Sequence, residues 1–183
     1  MAAQITKKTG KKAFFDVKVP LTSTKIQLYA GSTEELNGRV VKIDLARSLK
    51  GKSFELKYKI KANNDILEGE PISLWLAGSY IRRMIRRGTD YVEDSFVVEC
   101  KDGKATVKPF MITRHKVSRV VRNELRQNAK KHLIEYMKNR GTMELFGDLM
   151  TNKIQKEMSL KLRKIYPLAL CEVRVFEILK EEK

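Results

Sequence analysis

In 183 residues the chain holds only two cysteines, two histidines and a single tryptophan, and each scarcity removes a class of protein. Cys100 and Cys171 lie far apart with no CxxC spacing, which argues against a disulfide framework or a zinc ribbon and fits a reducing compartment. Buried thiols are the ordinary reading of both. A nucleophile normally recruits a histidine base, and here only His115 and His132 are on offer. His115 stands between Arg114 and Lys116, and His132 falls on an apolar helical face where a packed core histidine is expected. The adjacent acids Glu93 and Asp94 would point to opposite faces of a strand. GSTEELNGR at 31–39 lacks the Lys-Ser/Thr of a phosphate loop, and GxGxxG does not occur. No catalytic residue, metal ligand or cofactor is therefore assigned, and the chain is not expected to be an enzyme. Long apolar runs are missing too: a membrane helix needs about 18 residues or more. The N-terminal MAAQITKKTGKKAFFDV has lysines but no apolar stretch behind them, so neither a membrane span nor a secretory signal is expected, and the protein should be cytoplasmic.

The most consequential shortage is of acid. Against 38 Lys and Arg stand 22 Asp and Glu, a net charge of +16. The excess is local: residues 1–12 carry four lysines and no acid, residues 78–88 four arginines and no acid, and residues 101–140 twelve basic and three acidic side chains. Everything else is nearly neutral. A face kept soluble by charge mixes its signs, whereas sign segregation marks a surface for a polyanion. With 42% apolar residues the remainder can bury a core. The expected organisation is a flexible basic arm over 1–12 and a single globular RNA-binding domain over 13–183.

Periodicity supplies the fold class. FFDVKVP reads as a strand stopped by Pro20, and KIQLYA, GRVVKIDLA and SFELKYKI as further strands, with Asn37-Gly38 as a two-residue hairpin signal. PISLWLAG alternates Ile72, Leu74 and Leu76, with Trp75 pointing the other way. SYIRRMIRR suits a short helix that packs Ile81, Met84 and Ile85 and ends at Gly88. DSFVVECKDGKATVKPFMI reads as a hairpin turning at Asp102-Gly103. Between His115 and Asn139 the period becomes helical, with Val117, Val121, Leu125, His132 and Tyr136 on one side. Met143, Phe146 and Met150 mark a second helix. A third, capped by Thr151, would run through Ile154, Met158, Leu162 and Ile165 to Pro167, and LCEVRVFEIL closes the chain as a strand with Cys171, Val173 and Val175 inward. The predicted class is α+β: an antiparallel β-barrel-like sheet packed with C-terminal helices and a closing C-terminal strand.

The candidate binding residues follow from charge geometry. Arg119, Arg122, Arg126 and Lys130 line one face of the long helix over about 16 Å, a spacing that can track phosphates. Arg114, Lys116 and Lys131 flank them. Arg82, Arg83, Arg86 and Arg87 would form a second clamp, and Lys7, Lys8, Lys11 and Lys12 a threading arm. Arginine binds phosphate bidentately and stacks on unpaired bases, so RNA is a natural ligand. No helix-turn-helix, zinc finger, basic zipper or RNP-type aromatic motif is present, and the basic helix has no bulky face free for membrane insertion.

The strings KKAFFDVKVP, GRVVKIDLA, FMITRHKVSRVVRNELRQ and IYPLALCEVRV resemble, in the same order over nearly the whole chain, the archaeal and eukaryotic family of small-subunit ribosomal proteins called S-three-a, or eS-one. Its most specific elements here are Phe15-Asp16-Val17-Lys18 before Pro20, Gly38-Arg39, and Ile165-Tyr166-Pro167-Leu168. The resemblance implies a structural constituent of the small ribosomal subunit that supports translation from the platform near the messenger RNA exit. It would contact small-subunit ribosomal RNA and neighbouring platform proteins, with messenger RNA near the exit as a further candidate. A short start and the ending LKEEK look archaeal rather than eukaryotic. The alternatives are an off-ribosome RNA chaperone or ribosome-assembly factor, and an enzyme acting on RNA.

Overall fold

Phe54, Leu56, Tyr58 and Ile60 are all buried, the alternating residues 55, 57 and 59 are less so, and the segment is a strand for that reason. The computed structural model describes residues 12–22, 25–47, 49, 51–63 and 66–179. Among them lie the strands β1 (Ala13–Lys18), β2 (Ile26–Ala30), β3 (Val40–Asp44), β4 (Phe54–Asn63) and β5 (Ile66–Leu76), then the helix α1 (Gly78–Met84). There follow β6 (Tyr91–Glu93), β7 (Phe96–Cys100), β8 (Gly103–Thr113), the helices α2 (Arg119–Met137), α3 (Thr142–Met150) and α4 (Lys153–Leu162), and β9 (Leu168–Ile178). The strands pair in the order β2-β1-β5-β9-β8-β6, with β3 and β4 branching from β5 and β7 on β8. This is the predicted α+β class, with C-terminal helices and a closing strand. The sheet is open rather than barrel-like: no described pairing joins β2 to β6, and β1 runs parallel to β5.

The described residues fall into two compact units, one within 12–42 and 57–71, the other within 43–56 and 72–179. In the first, Val17, Ala30, Leu36, Ile60 and Leu67 form the core, with Phe15 and Leu28 packed against it. Tyr58 donates to the Pro20 carbonyl at 2.7 Å, and burial pushes its phenol up to about 12. Gly69 permits this packing, since a Cβ there would lie 2.8 Å from Val19 Cγ1. The Asn37-Gly38 turn exists, but β2 and β3 do not form a hairpin; β2 pairs with β1, and β3 with β4. Only Gly38 has positive φ (+81°), while Asn37 sits at φ −64°, ψ 128°. With Arg39 N–H on the Leu36 carbonyl at 3.2 Å, that is a type II turn; the tight hairpin turn would need positive φ at both central residues.

In the second unit β8 and β9 pair from Ala105↔Ile178 to Thr113↔Leu168. α4 packs on β9, α2 on β6, β7 and α4, and α3 on α4; Leu125, Ala129, Leu133 and Met137 of α2, Leu145, Phe146 and Leu149 of α3, and Ile154, Met158 and Leu162 of α4 are all buried. Phe146 meets Phe176 edge-on with centroids 4.9 Å apart. Pro109 lacks a ladder N–H, and beside it the register slips, with Lys108 opposite Val175 but Pro109 opposite Val173. Arg174 is thereby extruded. The hairpin of β7 and β8 pairs Cys100 with Gly103, so Lys101 and Asp102 form its tip, one residue before the predicted turn.

Several predicted boundaries move. α1 stops at Met84 with Ile85 extended, and both side chains are more than a third exposed; Tyr80 and Ile81 carry its packing. Thr151 does not start α4: its hydroxyl donates back to Gly147 O at 3.0 Å, closing α3, and Asn152 in the left-handed region (φ 60°) opens α4. Pro167 does not end that helix, which stops at Leu162. Met143 is 43% exposed rather than packed. Glu172, which alternation places outward, is buried with Cys171 and Val173.

Candidate nucleic-acid interface

α2 is positioned at both ends of its approach. Buried Thr113 accepts the Asp90 N–H at 3.1 Å, and the Asp90 carboxylate accepts the Val117 N–H at 3.0 Å, pinning the loop that carries Arg114, His115 and Lys116. Ser118 then caps the helix, its oxygen accepting the Val121 N–H at 3.4 Å. Leu125, Ala129, His132, Leu133 and Met137 face the core, so the helical period turns Arg119, Arg122, Arg126 and Lys130 out, and all four are exposed. Arg126 is further oriented by a 2.9 Å bond to Asn123 Oδ1, and Lys130 Nζ lies 5.4 Å over the Phe96 ring. Lys131, Arg114 and Lys116 are exposed as well.

Ion pairing sorts the cations. Among the described residues the cations in salt bridges include Lys52, Lys61, Lys104, Arg140, Lys153 and Arg174. None uses Arg82, Arg83, Arg86, Arg87, Arg114, Lys116, Arg119, Arg122, Arg126, Lys130 or Lys131. Two of these bridges hold acids with little exposure: Lys52 holds buried Glu172 and donates to Asn152 Oδ1 at 2.7 Å, and Arg140 holds Asp148 beside Tyr136, whereas Lys61, Lys104 and Arg174 pair on the surface. The second set stands exposed without a carboxylate partner among the described residues.

Arg119, Arg122 and Arg126 line one wall of an open cleft of about 660 Å³, with Val120 and Asn123; Tyr91, Val92 and Glu93 of β6 line the other. Glu93 is held at 3.3 Å by the extruded Arg174. Tyr91 had no signal in the sequence, because a three-residue strand is too short to show alternation. The predicted arginine clamp at 82–87 is not one helical row: Arg82 and Arg83 sit on α1, Arg83 against the Tyr80 ring at 5.9 Å, while Arg86 and Arg87 lie past the helix before Gly88 (φ +82°). None of the four lines the α2 cleft. Lys12 is exposed, 5.9 Å over the Tyr29 ring, which in turn meets exposed Phe14 at 5.0 Å. Lys7, Lys8 and Lys11 lie outside the described residues.

The remaining titratable groups serve packing. His132 is buried, and burial, then Lys161, lowers its pKa, so the neutral imidazole packs near Tyr136 with centroids 6.1 Å apart. Burial raises the Cys100 thiol and pushes Cys171 up to about 12. Among the described residues no group of three or more His, Cys, Asp or Glu could hold a metal ion, and no helix is long and apolar enough to cross a membrane.

These features define a basic α+β protein that neutralises buried Glu172 and partly buried Asp148 internally and exposes a row of cations along α2, three of them on an open cleft. The chain belongs to the Ribosomal S3Ae family, whose model matches residues 2–182. It is 33% identical over 141 residues to the small ribosomal subunit protein eS1 of Methanothermobacter thermautotrophicus, covering 74% of this chain and 72% of that protein. The protein of the same name from Nanoarchaeum equitans is 26% identical over 183 residues, covering 94% of this chain and 91% of its own, and that of Methanobrevibacter smithii is 26% identical over 172 residues, 89% of each. The resemblance drawn from the sequence motifs is thus that of an archaeal-type member.

Proposed function

We propose that this protein is a structural constituent of the small ribosomal subunit that binds small-subunit ribosomal RNA through the exposed face of α2 and the loop before it. The contacts would be Arg114, Lys116, Arg119, Arg122, Arg126, Lys130 and Lys131, with Arg82, Arg83, Arg86 and Arg87 and an N-terminal arm of Lys7, Lys8, Lys11 and Lys12 as secondary ones. It works ribosome-bound in the cytoplasm, on the platform near the messenger RNA exit, beside neighbouring ribosomal proteins. Its part in translation is architectural, without a chemical step. One observation carries the reading: in a chain of a ribosomal protein family, the α2 cations stand on a capped helix and share no ion pair with a carboxylate among the described residues. A helix holds the Cα positions of these arginines in one row, so each planar guanidinium can meet a phosphate bidentately without breaking a pair inside the protein.

Sedimentation of native lysate through sucrose gradients at low and moderate salt tests it. Stoichiometric recovery with the small subunit in both is expected. A protein that stays at the top of the gradient, or leaves the subunit at mild salt, would be an exchanging RNA chaperone or assembly factor instead.

A further inference from the structure

Tyr91 stands on β6 opposite Ile112 of β8, 55% exposed, with its ring 6.2 Å from that of Phe110 and inclined by 30°. Phe110 is fully buried, so one side of the tyrosine rests on the core while the other opens into the α2 cleft. Across that cleft stand the three unpaired arginines, and between them Val120, 76% exposed, adds apolar surface. Glu93 holds the remaining side, kept in place by Arg174.

Charge alone does not account for this composition. Duplex phosphates would need the arginines and gain nothing from an aromatic ring and a valine facing water. An acidic peptide would satisfy the arginines but would bring its carboxylates against Glu93 and leave the ring unused. A nucleobase fits all three walls: its faces are apolar and planar like the ring, its edge can donate to a carboxylate, and its flanking phosphates suit guanidinium groups. We propose that the cleft between β6 and α2 holds an unpaired nucleotide of a single-stranded RNA segment, with its base stacked on Tyr91 and its flanking phosphates on Arg119, Arg122 and Arg126. This rests on the RNA-binding reading above and adds that the α2 face distinguishes single-stranded from duplex RNA.

The test is fluorescence anisotropy with the full chain, a labelled single-stranded RNA and a duplex of the same length. Tyr91→Ala is expected to weaken the single strand by about tenfold or more and the duplex by less than about twofold, while Tyr91→Phe, which keeps the ring, stays within about twofold on both. Equal losses on both ligands, or no loss on the single strand, overturn the stacking. The triple variant Arg119→Gln, Arg122→Gln, Arg126→Gln separates the two levels: if it leaves both RNAs bound as before, the RNA-binding reading itself falls, whereas a weakened triple variant beside an unaffected Tyr91→Ala removes only the nucleotide site. An oligoglutamate peptide that displaces the RNA and itself depends on Tyr91 would make the cleft a peptide site. A measurement on the unmutated chain guards against misfolding of the variants: photo-cross-linking of 4-thiouridine RNA should map to Tyr91, and cross-links confined to other segments overturn the proposal.

Discussion

Glu172 sits in β9 between buried neighbours, and a carboxylate there is tolerable only because a cation comes to it from elsewhere in the unit. Burial raises its pKa, and the Lys52 ammonium pulls it part of the way back. A folded-state pKa above the unfolded value means that the native state binds the extra proton, so this group contributes most stability below its unfolded pKa and loses it as pH rises through the folded one. Lys52→Met removes the cation and leaves the carboxylate buried alone. It should cost about 3–5 kcal/mol near neutral pH, with the deficit shrinking as the pH falls and the acid protonates. Urea unfolding of both proteins at pH 7.5 and at pH 5 reads this directly, and an equal deficit at both values would show that Lys52 acts through packing. Neither partner of this pair was legible as such. Strand alternation placed Glu172 outward, and Lys52 lies in an aperiodic stretch, 120 positions away. Tyr91 was hidden for a similar reason, its strand being three residues long.

The helices show which local signals survive folding. α2 was readable because nineteen residues give its apolar stripe several turns in which to repeat, and the cations opposite that stripe emerge exposed. α3 has no side-chain cap of its own; the Asp102 carboxylate, from the tip of the β7–β8 hairpin, accepts the Thr142 N–H at 2.8 Å. Gly141 allows this approach, since a Cβ there would lie 2.9 Å from Asp102 Oδ2. Asp102→Ala should therefore destabilise the protein by about 1 kcal/mol, and Asp102→Asn, which keeps an acceptor, by less. Guanidinium unfolding midpoints check the order. A cap supplied from 40 residues away has no local sequence signature, and the same holds for the ends of α1 and α4. Gly88 and Pro167 are compatible with a helix ending nearby, but the helices stop earlier, just past buried Ile81 and at buried Leu162; the residues that would continue them, Ile85 and then Arg163 and Lys164, are exposed and would give a further turn nothing to pack on.

For the molecule as a whole, the distribution of charge connects sequence to function most directly. The described core of the first unit draws on β1 from Phe15 onward, and Lys12 is exposed. Removing residues 2–12 should leave the thermal unfolding midpoint within a few degrees, weaken RNA binding, and flatten the logarithmic salt slope by up to about 3, at about 0.7 for each of four lysines on a single strand. Titrations across a salt series measure the slope, and failure of the shortened chain to fold would show that these residues belong to the core. The α+β class, the long amphipathic helix, most strands and the location of the basic surfaces were all present in the linear chain. Periodicity and charge runs are local quantities, and neighbours along a strand or helix remain neighbours after folding. The openness of the sheet, the parallel pairing of β1 with β5, the Lys52–Glu172 pair, the Asp102 cap and the seating of Tyr91 across from the α2 arginines arise only in the tertiary structure. Each depends on the distance between segments far apart in sequence, and that distance is set by the packing of the whole core.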